Sequence, residues 1–353
     1  MTSSVGPMSP VPLRMSAAVL QGPGQLQVND VAVPPVGDRD VLVKIDLCGV
    51  CGSDLHMVLD GWGQRGSWQG HEWTGTVLAV GPLVQRWQPG DAVVGGPPIR
   101  CGTCASCVAG RPALCAQRDT PGIGPEQGAF ATYKVSPEGE LLALPVDLDP
   151  RAATLAEPLA VALHGIHQSG IGVDQRALVL GAGPIGALTI AALRARGIHH
   201  VVCAEPTERR QALARAVGAS EVCHPRDLVV PSIAEPGLIV PGAVDVVLEC
   251  SGKAAAMEAG LAQLVRGGTL VLVGAGIESP RFDPNRILLN ELIITGAFTY
   301  SDNGFTEALS LLASGALPVD ELLEPDLVPL DGLLDAMRGL AEGRLAGKVL
   351  VRP

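Results

Sequence analysis

Four cysteine thiols in one short segment have the spacing of a metal site. They follow the pattern Cys-x2-Cys-x2-Cys-x7-Cys in a glycine-containing stretch, at Cys101, Cys104, Cys107 and Cys115. Turns that bring four thiolates together make a closed tetrahedral site, which suits zinc and leaves no position for a substrate. The pattern therefore predicts a structural zinc. An iron–sulfur cluster and two adjacent disulfides are the alternatives, and the odd total of nine cysteines argues against a disulfide framework.

A second group of chemically capable side chains lies closer to the N-terminus. Residues 48–56 read CGVCGSDLH and residues 70–72 read GHE. The cysteines, histidines and carboxylates of these segments could bind a metal, and the hydroxyl and imidazole could move protons. Taken alone, each cysteine or histidine is equally well explained as an ordinary buried residue. The residue types leave both interpretations open.

A glycine-rich turn after an apolar strand predicts a dinucleotide site. The strand ALVL is followed directly by Gly181, Ala182, Gly183, Pro184, Ile185 and Gly186, which open an apolar helix. The first glycine permits the tight turn, the second lets the backbone approach a pyrophosphate, and the third lets helix and strand pack closely. The N–H groups at the start of the helix then face the phosphates.

Glu205 lies at the end of the next predicted strand, VVCA. A carboxylate there can accept hydrogen bonds from the adenosine ribose hydroxyls and would repel a 2'-phosphate, which favours NAD over NADP. The alternative is that Glu205 only caps the following helix. Arg209 and Arg210 keep NADP open as well, because an arginine at this position can pair with a phosphate.

Two sequence patterns along the chain indicate the secondary-structure elements that position these side chains. From Ser16 to about residue 146, short alternating apolar runs are separated by Gly, Pro and Asp, as in antiparallel strands and turns. From about residue 160, continuous Val/Leu/Ile strands alternate with Ala/Leu/Arg helices, which predicts a parallel sheet covered on both faces.

Composition excludes several classes of protein. Hydrophobic residues make up 47% and charged residues 17%, the balance of a globular chain. The net charge of -11 argues against nucleic acid or an anionic membrane as the main partner. The uncharged stretch Ala177–Leu193 contains the glycine turn, which a membrane-spanning helix would tolerate badly. Residues 1–14 carry no targeting signal and are expected to be disordered, and the cysteine usage favours the reducing cytoplasm.

The motifs GVCGSDLH, GHE, the four-cysteine loop, LAEPLAVALH and VLGAGPIG, in this order, resemble the zinc-dependent medium-chain dehydrogenases, which include alcohol, polyol and butanediol dehydrogenases. The resemblance covers nearly the whole chain from Ser16 onward. It implies a mainly antiparallel β, GroES-like catalytic domain at residues 1–159 and 298–353. A Rossmann domain with a doubly wound parallel sheet is expected between them, at residues 160–297.

The resemblance also assigns roles around a second, catalytic zinc. Cys51 and His71 would bind it, and Asp54 would orient the ring of His71. The third protein ligand stays open between Glu72 and Glu157, because the simple-alcohol branch of the family has a cysteine where Glu157 stands.

Further roles implied by the resemblance concern protons and the cofactor. Ser53 would accept the alcohol proton and pass it through the nicotinamide ribose to His56 at the surface. Arg210 would lie near the adenine ribose, and Val273 and Gly274 would back the nicotinamide.

The resulting expectation is a zinc- and NAD-dependent oxidation of a secondary alcohol or polyol, or the reverse reduction of a carbonyl. Two zinc ions per chain, a small-molecule substrate and a homotetramer or homodimer belong to this expectation. A thiol-adduct aldehyde dehydrogenase of the same fold is an alternative, although it would usually present a cysteine in place of Glu157. A non-catalytic binding or structural relative is the other.

Overall fold

The structure is a computed structural model and describes residues 11–98, 100–118, 127–301 and 303–353. Of the extension expected to be disordered, residues 1–10 lie outside the described residues. Arg14, the last residue of that extension, is the first residue of the first strand.

Within the described ranges the strands alternate with helices mainly in the second half of the chain. In chain order the strands are β1 (Arg14–Gly22), β2 (Gln25–Ala32), β3 (Asp40–Gly49), β4 (Glu72–Val80), β5 (Ala92–Gly95), β6 (Tyr133–Pro137), β7 (Leu141–Ala143), β8 (Arg176–Leu180), β9 (His200–Ala204), β10 (Glu221–Cys223), β11 (Val244–Glu249), β12 (Leu264–Leu272), β13 (Ile293–Gly296), β14 (Leu323–Pro329) and β15 (Lys348–Arg352).

The helices cover both faces of one sheet and close the ends of the other. They are α1 (Gly52–Val58), α2 (Ala105–Val108), α3 (Pro150–Ala153), α4 (Ala156–Ser169), α5 (Pro184–Ala195), α6 (Glu208–Ala216), α7 (Ala254–Ala262), α8 (Pro284–Asn290), α9 (Gly304–Ala313), α10 (Val319–Leu322) and α11 (Leu333–Ala341). Short 3-10 turns occupy Pro112–Leu114, Glu138–Glu140, Pro225–Asp227 and Leu330–Gly332.

The parallel sheet has six strands in the order β10-β9-β8-β11-β12-β13. Every neighbouring pair in it is parallel. The chain therefore moves outward from β8 in one direction and then, from β11, in the other, which is the doubly wound order of dinucleotide-binding domains. The predicted Rossmann sheet is confirmed. The apolar stretch Ala177–Leu193 divides into β8, the glycine turn and α5, and no helix of the described residues is long and apolar enough to cross a membrane.

The second sheet has seven strands and is mainly antiparallel, as predicted. Its path is β14-β15-β3-β4-β5-β7, with β6 also paired to β3. Only the pair β14–β15 is parallel among its described ladders. This pairing brings the C-terminal strand β15 against the end of β3, so the last residues of the chain contact the segment that carries Cys51.

Helix α4 joins the two sheets through one continuous core. Leu163 of this helix clusters with Leu47 of β3 and Val179 of β8, and all three are buried. Full burial of such a side chain contributes about 1.5–3 kcal/mol, so the two halves stabilise one another. The helix runs without a break across the predicted domain boundary at residues 159 and 160. That boundary, and the one at residues 297 and 298, stay predictions.

Candidate active site and metal centres

Cys51, His71 and Glu72 converge at one end of the antiparallel sheet. Their ligand atoms all lie within 4.8 Å of one another. Cys51 caps the N-terminus of α1, and β3 pairs with β4 so that Gly49 lies opposite Glu72. Gly70 precedes His71 with φ of 105°, and a Cβ there would approach the Phe130 nitrogen to 2.8 Å and the Cys48 sulfur to 2.9 Å. Only glycine accepts both the conformation and the contact, and this turn places His71 in the group.

Asp54 connects the two predicted ligands Cys51 and His71. Its carboxylate is buried and accepts the Cys51 N–H at 2.9 Å, while its other oxygen lies 3.7 Å from His71 Nδ1. Burial raises the pKa of Asp54 to about 6, against the opposing effects of His71 and the Cys51 N–H. With Nδ1 turned toward Asp54, the Nε2 atom of His71 is the nitrogen available to a metal. The arrangement fits the orienting role that the family resemblance implied.

Glu72 is held by a lysine that the sequence reasoning missed. Lys348 Nζ lies 2.6 Å from each Glu72 oxygen and donates to the Val50 carbonyl at 2.9 Å. The side chains of Glu72 and Lys348 are 0% and 1% exposed. Burial lowers the pKa of Lys348, but Glu72, Cys51 and Glu157 together outweigh this effect and the pKa lies above its usual value. The available signal was a lysine on the inward face of the apolar strand KVLV.

Glu157 reaches the same cavity from the first turn of α4. Among the described residues it is not part of the group whose ligand atoms lie within 4.8 Å. Burial raises the pKa of its carboxyl to about 7, while the His71 imidazole opposes this shift. The structure thus groups Glu72 with the sulfur and the imidazole and places Glu157 as a separate carboxyl on the cavity wall.

Ser53 and His56 face the cavity from helix α1. His56 Nδ1 lies 2.6 Å from an Asp60 carboxylate oxygen. The imidazole ring stacks on Trp62, with ring centroids 4.8 Å apart. These two neighbours fix the ring and leave Nε2 for proton exchange. The sequence did not predict Asp60 as a partner of His56. Among the described tryptophans, Trp73 is the one that lines the cavity.

The four-cysteine segment forms a compact cage of sulfur atoms, as predicted. The Cys101 and Cys115 sulfurs are 3.5 Å apart, and those of Cys101 and Cys107 are 3.9 Å apart. Backbone N–H groups point at them, including that of Cys104 at 3.3 Å from the Cys101 sulfur. The N–H groups of Thr103 and Cys104 lower the pKa of Cys101 to about 6. A cage that stabilises thiolate without a disulfide fits a divalent soft cation such as zinc.

The glycine turn has the geometry of a phosphate-binding loop. Gly181 adopts φ of 89°, and a Cβ on Gly186 would lie 1.9 Å from the Gly181 oxygen. Helix α5 begins at Pro184, with Gly183 at its N-cap. Glu205 is buried at the edge of this turn and accepts the Ala182 N–H at 2.8 Å.

Both arginines that could have favoured a 2'-phosphate are engaged by the C-terminal part of the chain. Arg209 pairs with Glu324 at 2.9 Å, and Arg210 donates to the Leu340 carbonyl at 2.7 Å. The expected contact between Arg210 and the adenine ribose therefore competes with this bond and stays a prediction.

A cavity of about 610 Å³ connects the metal group to the parallel sheet. Cys51, His71 and Glu157 line this cavity, and so do Val273 and Gly274, which lie just after β12. The predicted nicotinamide-backing residues and the predicted metal ligands thus face one cavity. Such an arrangement can hold a small molecule between a metal and a planar cofactor ring.

Comparisons with known proteins agree with this arrangement. Residues 37–146 match the model of the alcohol dehydrogenase GroES-like domain, and residues 184–314 match that of the zinc-binding dehydrogenase domain. The sorbitol dehydrogenase of Bacillus subtilis is 31% identical over 97% of this chain and 98% of its own length.

Two solved structures are similar over almost the full chain. The 2R,3R-butanediol dehydrogenase of Bacillus subtilis has a TM-score of 0.83 and 29% identity, and the match covers 96% of this chain and 99% of that one. A crystal structure from Sinorhizobium meliloti that contains NADP has the same TM-score of 0.83 with 33% identity, and the same coverage of 96% and 99%.

Proposed function

This chain belongs to the zinc-dependent medium-chain dehydrogenase family and is an alcohol or polyol dehydrogenase acting on CH–OH donors, and we propose that it uses zinc and NAD to interconvert a secondary alcohol or polyol and its carbonyl. The observation that carries the proposal is the grouping of Cys51, His71 and Glu72 beside a cavity that Cys51 and His71 line together with Val273 and Gly274 of the nucleotide-binding half.

Cys51, His71 and Glu72 would hold the catalytic zinc, and Glu157 is the further carboxyl within the same cavity. When bound, the zinc polarises the substrate oxygen and makes its proton easier to remove. The chain supplies a thiol, an imidazole and a carboxyl, a mixed donor set that suits a zinc with an open position. Asp54 keeps the His71 ring in the orientation that binding requires.

The chain also supplies a route for the proton. The Ser53 hydroxyl accepts the proton of the substrate hydroxyl, and His56, one helical turn further along α1, releases it to solvent. Asp60 holds Nδ1 of His56, so Nε2 is the atom that takes up and gives away the proton.

Val273 and Gly274 would help to align the reacting carbon with the nicotinamide. NAD takes the hydride when bound, and Val273 and Gly274 would support its ring against the cavity. A substrate held between Val273 and Gly274 and the metal group would have its reacting carbon fixed close to the nicotinamide. Holding two reactants in the reactive orientation accounts for a large part of the rate enhancement of such enzymes.

The preference for NAD rests on Glu205 and on the engagement of Arg209 and Arg210 elsewhere. NADP is present in the Sinorhizobium meliloti relative, so the choice needs a direct test. We expect Glu205→Ala to weaken NAD binding about 10- to 100-fold, because the ribose contact is lost and the Ala182 N–H loses its acceptor.

The same Glu205→Ala variant should gain little affinity for NADP, since no arginine is released to meet the phosphate. Dissociation constants for NAD and NADP, measured by fluorescence titration, check this result. As a control, Glu221→Ala removes an exposed carboxylate on the neighbouring strand β10 and should change neither constant. A Glu205→Ala variant that binds NADP tightly would show that the arginines do move to the phosphate.

We further propose a homo-oligomer, a dimer or a tetramer, working in the cytoplasm on a small molecule and not on nucleic acid. β13 is an edge strand of the parallel sheet, and its Ile293 is 54% exposed. Leu288 on the preceding helix is 72% exposed. An apolar edge strand is a usual site of pairing with a second copy, and the cysteine cage fits a reducing compartment.

The proposed activity is tested with the purified, zinc-loaded protein. NADH formation from NAD is followed at alkaline pH across simple alcohols, vicinal diols and polyols, and the reverse reaction is followed with the corresponding ketones. Turnover of secondary alcohols or polyols supports the proposal. Absence of turnover in both directions, with zinc content verified, would contradict it.

A further inference from the structure

The cavity lining includes polar side chains that the proposed chemistry does not use. Lys134 and Ser136 lie two residues apart on β6 and both line the cavity, since alternate residues of a strand share a face. Ser136 is 1% exposed, and its hydroxyl has no hydrogen-bond partner among the described residues. A buried hydroxyl without a partner is costly unless a ligand satisfies it.

Arg100 contributes a permanent positive charge to the lining of the same cavity. Its side chain is partly buried, and within the described ranges no hydrogen bond or ion pair engages its guanidinium. Removing a charge from water without a partner is unfavourable. A guanidinium pairs best with a carboxylate or a phosphate, to which it donates two parallel hydrogen bonds.

The cysteine cage fixes the backbone that carries Arg100. Cys101, the next residue, directs its N–H toward the Cys115 sulfur at 3.5 Å. The zinc cage therefore determines where the guanidinium enters the cavity.

Tyr300 places Arg100 within reach of the reacting end. Burial and the Glu157 and Glu140 carboxylates raise the pKa of this phenol, while Arg100 opposes the shift, so all three charges lie close to one side chain. The neighbouring Thr299 has a positive φ of 54° and a buried hydroxyl without a partner in the described part of the chain. Such strain is retained mainly at functional sites, where a ligand can use the side chain.

We propose that the substrate is a polyol that carries an oxyanion, a carboxylate or a phosphate ester, at the end distant from the reacting carbon, and that Arg100 and Ser136 bind this oxyanion. The lining also carries the carboxyls of Asp54, Glu140 and Glu157, so the site for an anion is confined to the neighbourhood of the Arg100 guanidinium. Lys134 also donates to the Gln127 carbonyl at 3.0 Å, so Arg100 is the main partner of the anion. The inference rests on the proposed dehydrogenase function and specifies its substrate class.

A matched set of six-carbon probes tests the inference: D-sorbitol, D-gluconate and D-sorbitol 6-phosphate. We expect kcat/KM of the wild-type enzyme to be higher for at least one of the two anions than for D-sorbitol. Arg100→Met should lower kcat/KM for that anion about 10- to 100-fold, mainly through KM, because a hydrogen-bonded charge partner is lost. The value for D-sorbitol should change less than about 3-fold. Arg100→Lys should retain part of the affinity, and the better anion distinguishes a carboxylate from a phosphate ester.

Two control variants separate anion binding from general damage. Arg65→Met removes an exposed arginine outside the cavity lining and should leave all three substrates unaffected. Ser136→Ala should weaken only the anion, whereas Thr74→Val removes another buried hydroxyl without a partner, one that does not line the cavity, and should not discriminate between the substrates. Thermal unfolding of each variant verifies its fold.

Calorimetric binding of D-gluconate and inorganic phosphate supplies a readout that does not depend on turnover. Binding that Arg100→Met abolishes supports the inference even if no probe is oxidised, in which case the proposed function alone fails. Better turnover of D-sorbitol than of both anions, or equal anion affinity in wild type and Arg100→Met, would overturn the inference while the dehydrogenase function stands.

Discussion

Replacing Cys51 with serine is expected to remove one of two zinc ions per chain and to lower kcat by about 1,000-fold or more. A serine hydroxyl is a poor zinc ligand at neutral pH, and His71 and Glu72 alone offer too few donors for a stable site. Without the metal, nothing in the cavity lowers the pKa of the substrate hydroxyl enough for Ser53 to accept its proton. Metal content by plasma emission spectrometry and kcat for the best substrate are measured on the same preparation.

Two further cysteine variants serve as controls for Cys51→Ser. Cys48→Ala changes a buried cysteine three positions away that is not part of the metal group, and it should keep both zinc ions and most of the activity. Cys104→Ser should remove the other zinc and lower the unfolding temperature, since that site holds the loop 101–115 together. Full zinc content and near-normal kcat in Cys51→Ser would refute the assignment of the catalytic site.

Local patterns were enough to predict the parallel sheet and the cysteine cage. The apolar strand ALVL, the glycine turn and the apolar helix after it all indicate one local structure, and the four cysteines lie within a single loop. Such local structures can be predicted from the sequence because they depend mainly on residues that are close together in the chain.

Contacts between distant segments could not be predicted in the same way. Lys348 lies 276 positions from Glu72, and only the pairing of β15 with β3 brings the two together. The family resemblance placed Arg210 near the adenine ribose, but packing against the C-terminal segment directs its guanidinium to the Leu340 carbonyl. The predicted domain boundary at 159 and 160 falls inside α4, a helix that packs into a core shared by both sheets.

The choice between the two glutamates depends on the same distant contact. The family resemblance left Glu72 and Glu157 equivalent, whereas the structure brings Glu72 to the sulfur and the imidazole and neutralises it with Lys348. The Lys348 ammonium holds the Glu72 carboxylate in place and neutralises its charge, so that Glu72 can be buried beside the metal group. Lys348 is therefore a positioning residue for the predicted zinc ligand.

Lys348→Met is expected to lower the free energy of unfolding by about 3–5 kcal/mol, because it leaves the Glu72 carboxylate buried without its counterion. The Val50 carbonyl loses its partner in the same variant. Urea unfolding of the zinc-loaded protein, followed by tryptophan fluorescence, measures the loss. Arg39→Met breaks the Arg39–Glu138 pair at 3.2 Å, in which the arginine is 66% exposed, and should cost no more than about 1 kcal/mol.

The double variant Lys348→Met/Glu72→Gln decides whether the loss comes from the charge or from the packing of the lysine. Removing both charges should recover about half of the stability lost in Lys348→Met. The coupling energy should be at least about 2 kcal/mol, because Glu72→Gln alone also leaves a buried charge unpaired. It should not recover activity, since glutamine is a poor substitute for a carboxylate ligand of zinc. Additive effects of the two substitutions would mean that Lys348 acts through its packing alone, and Glu72 would then need no counterion in the folded chain.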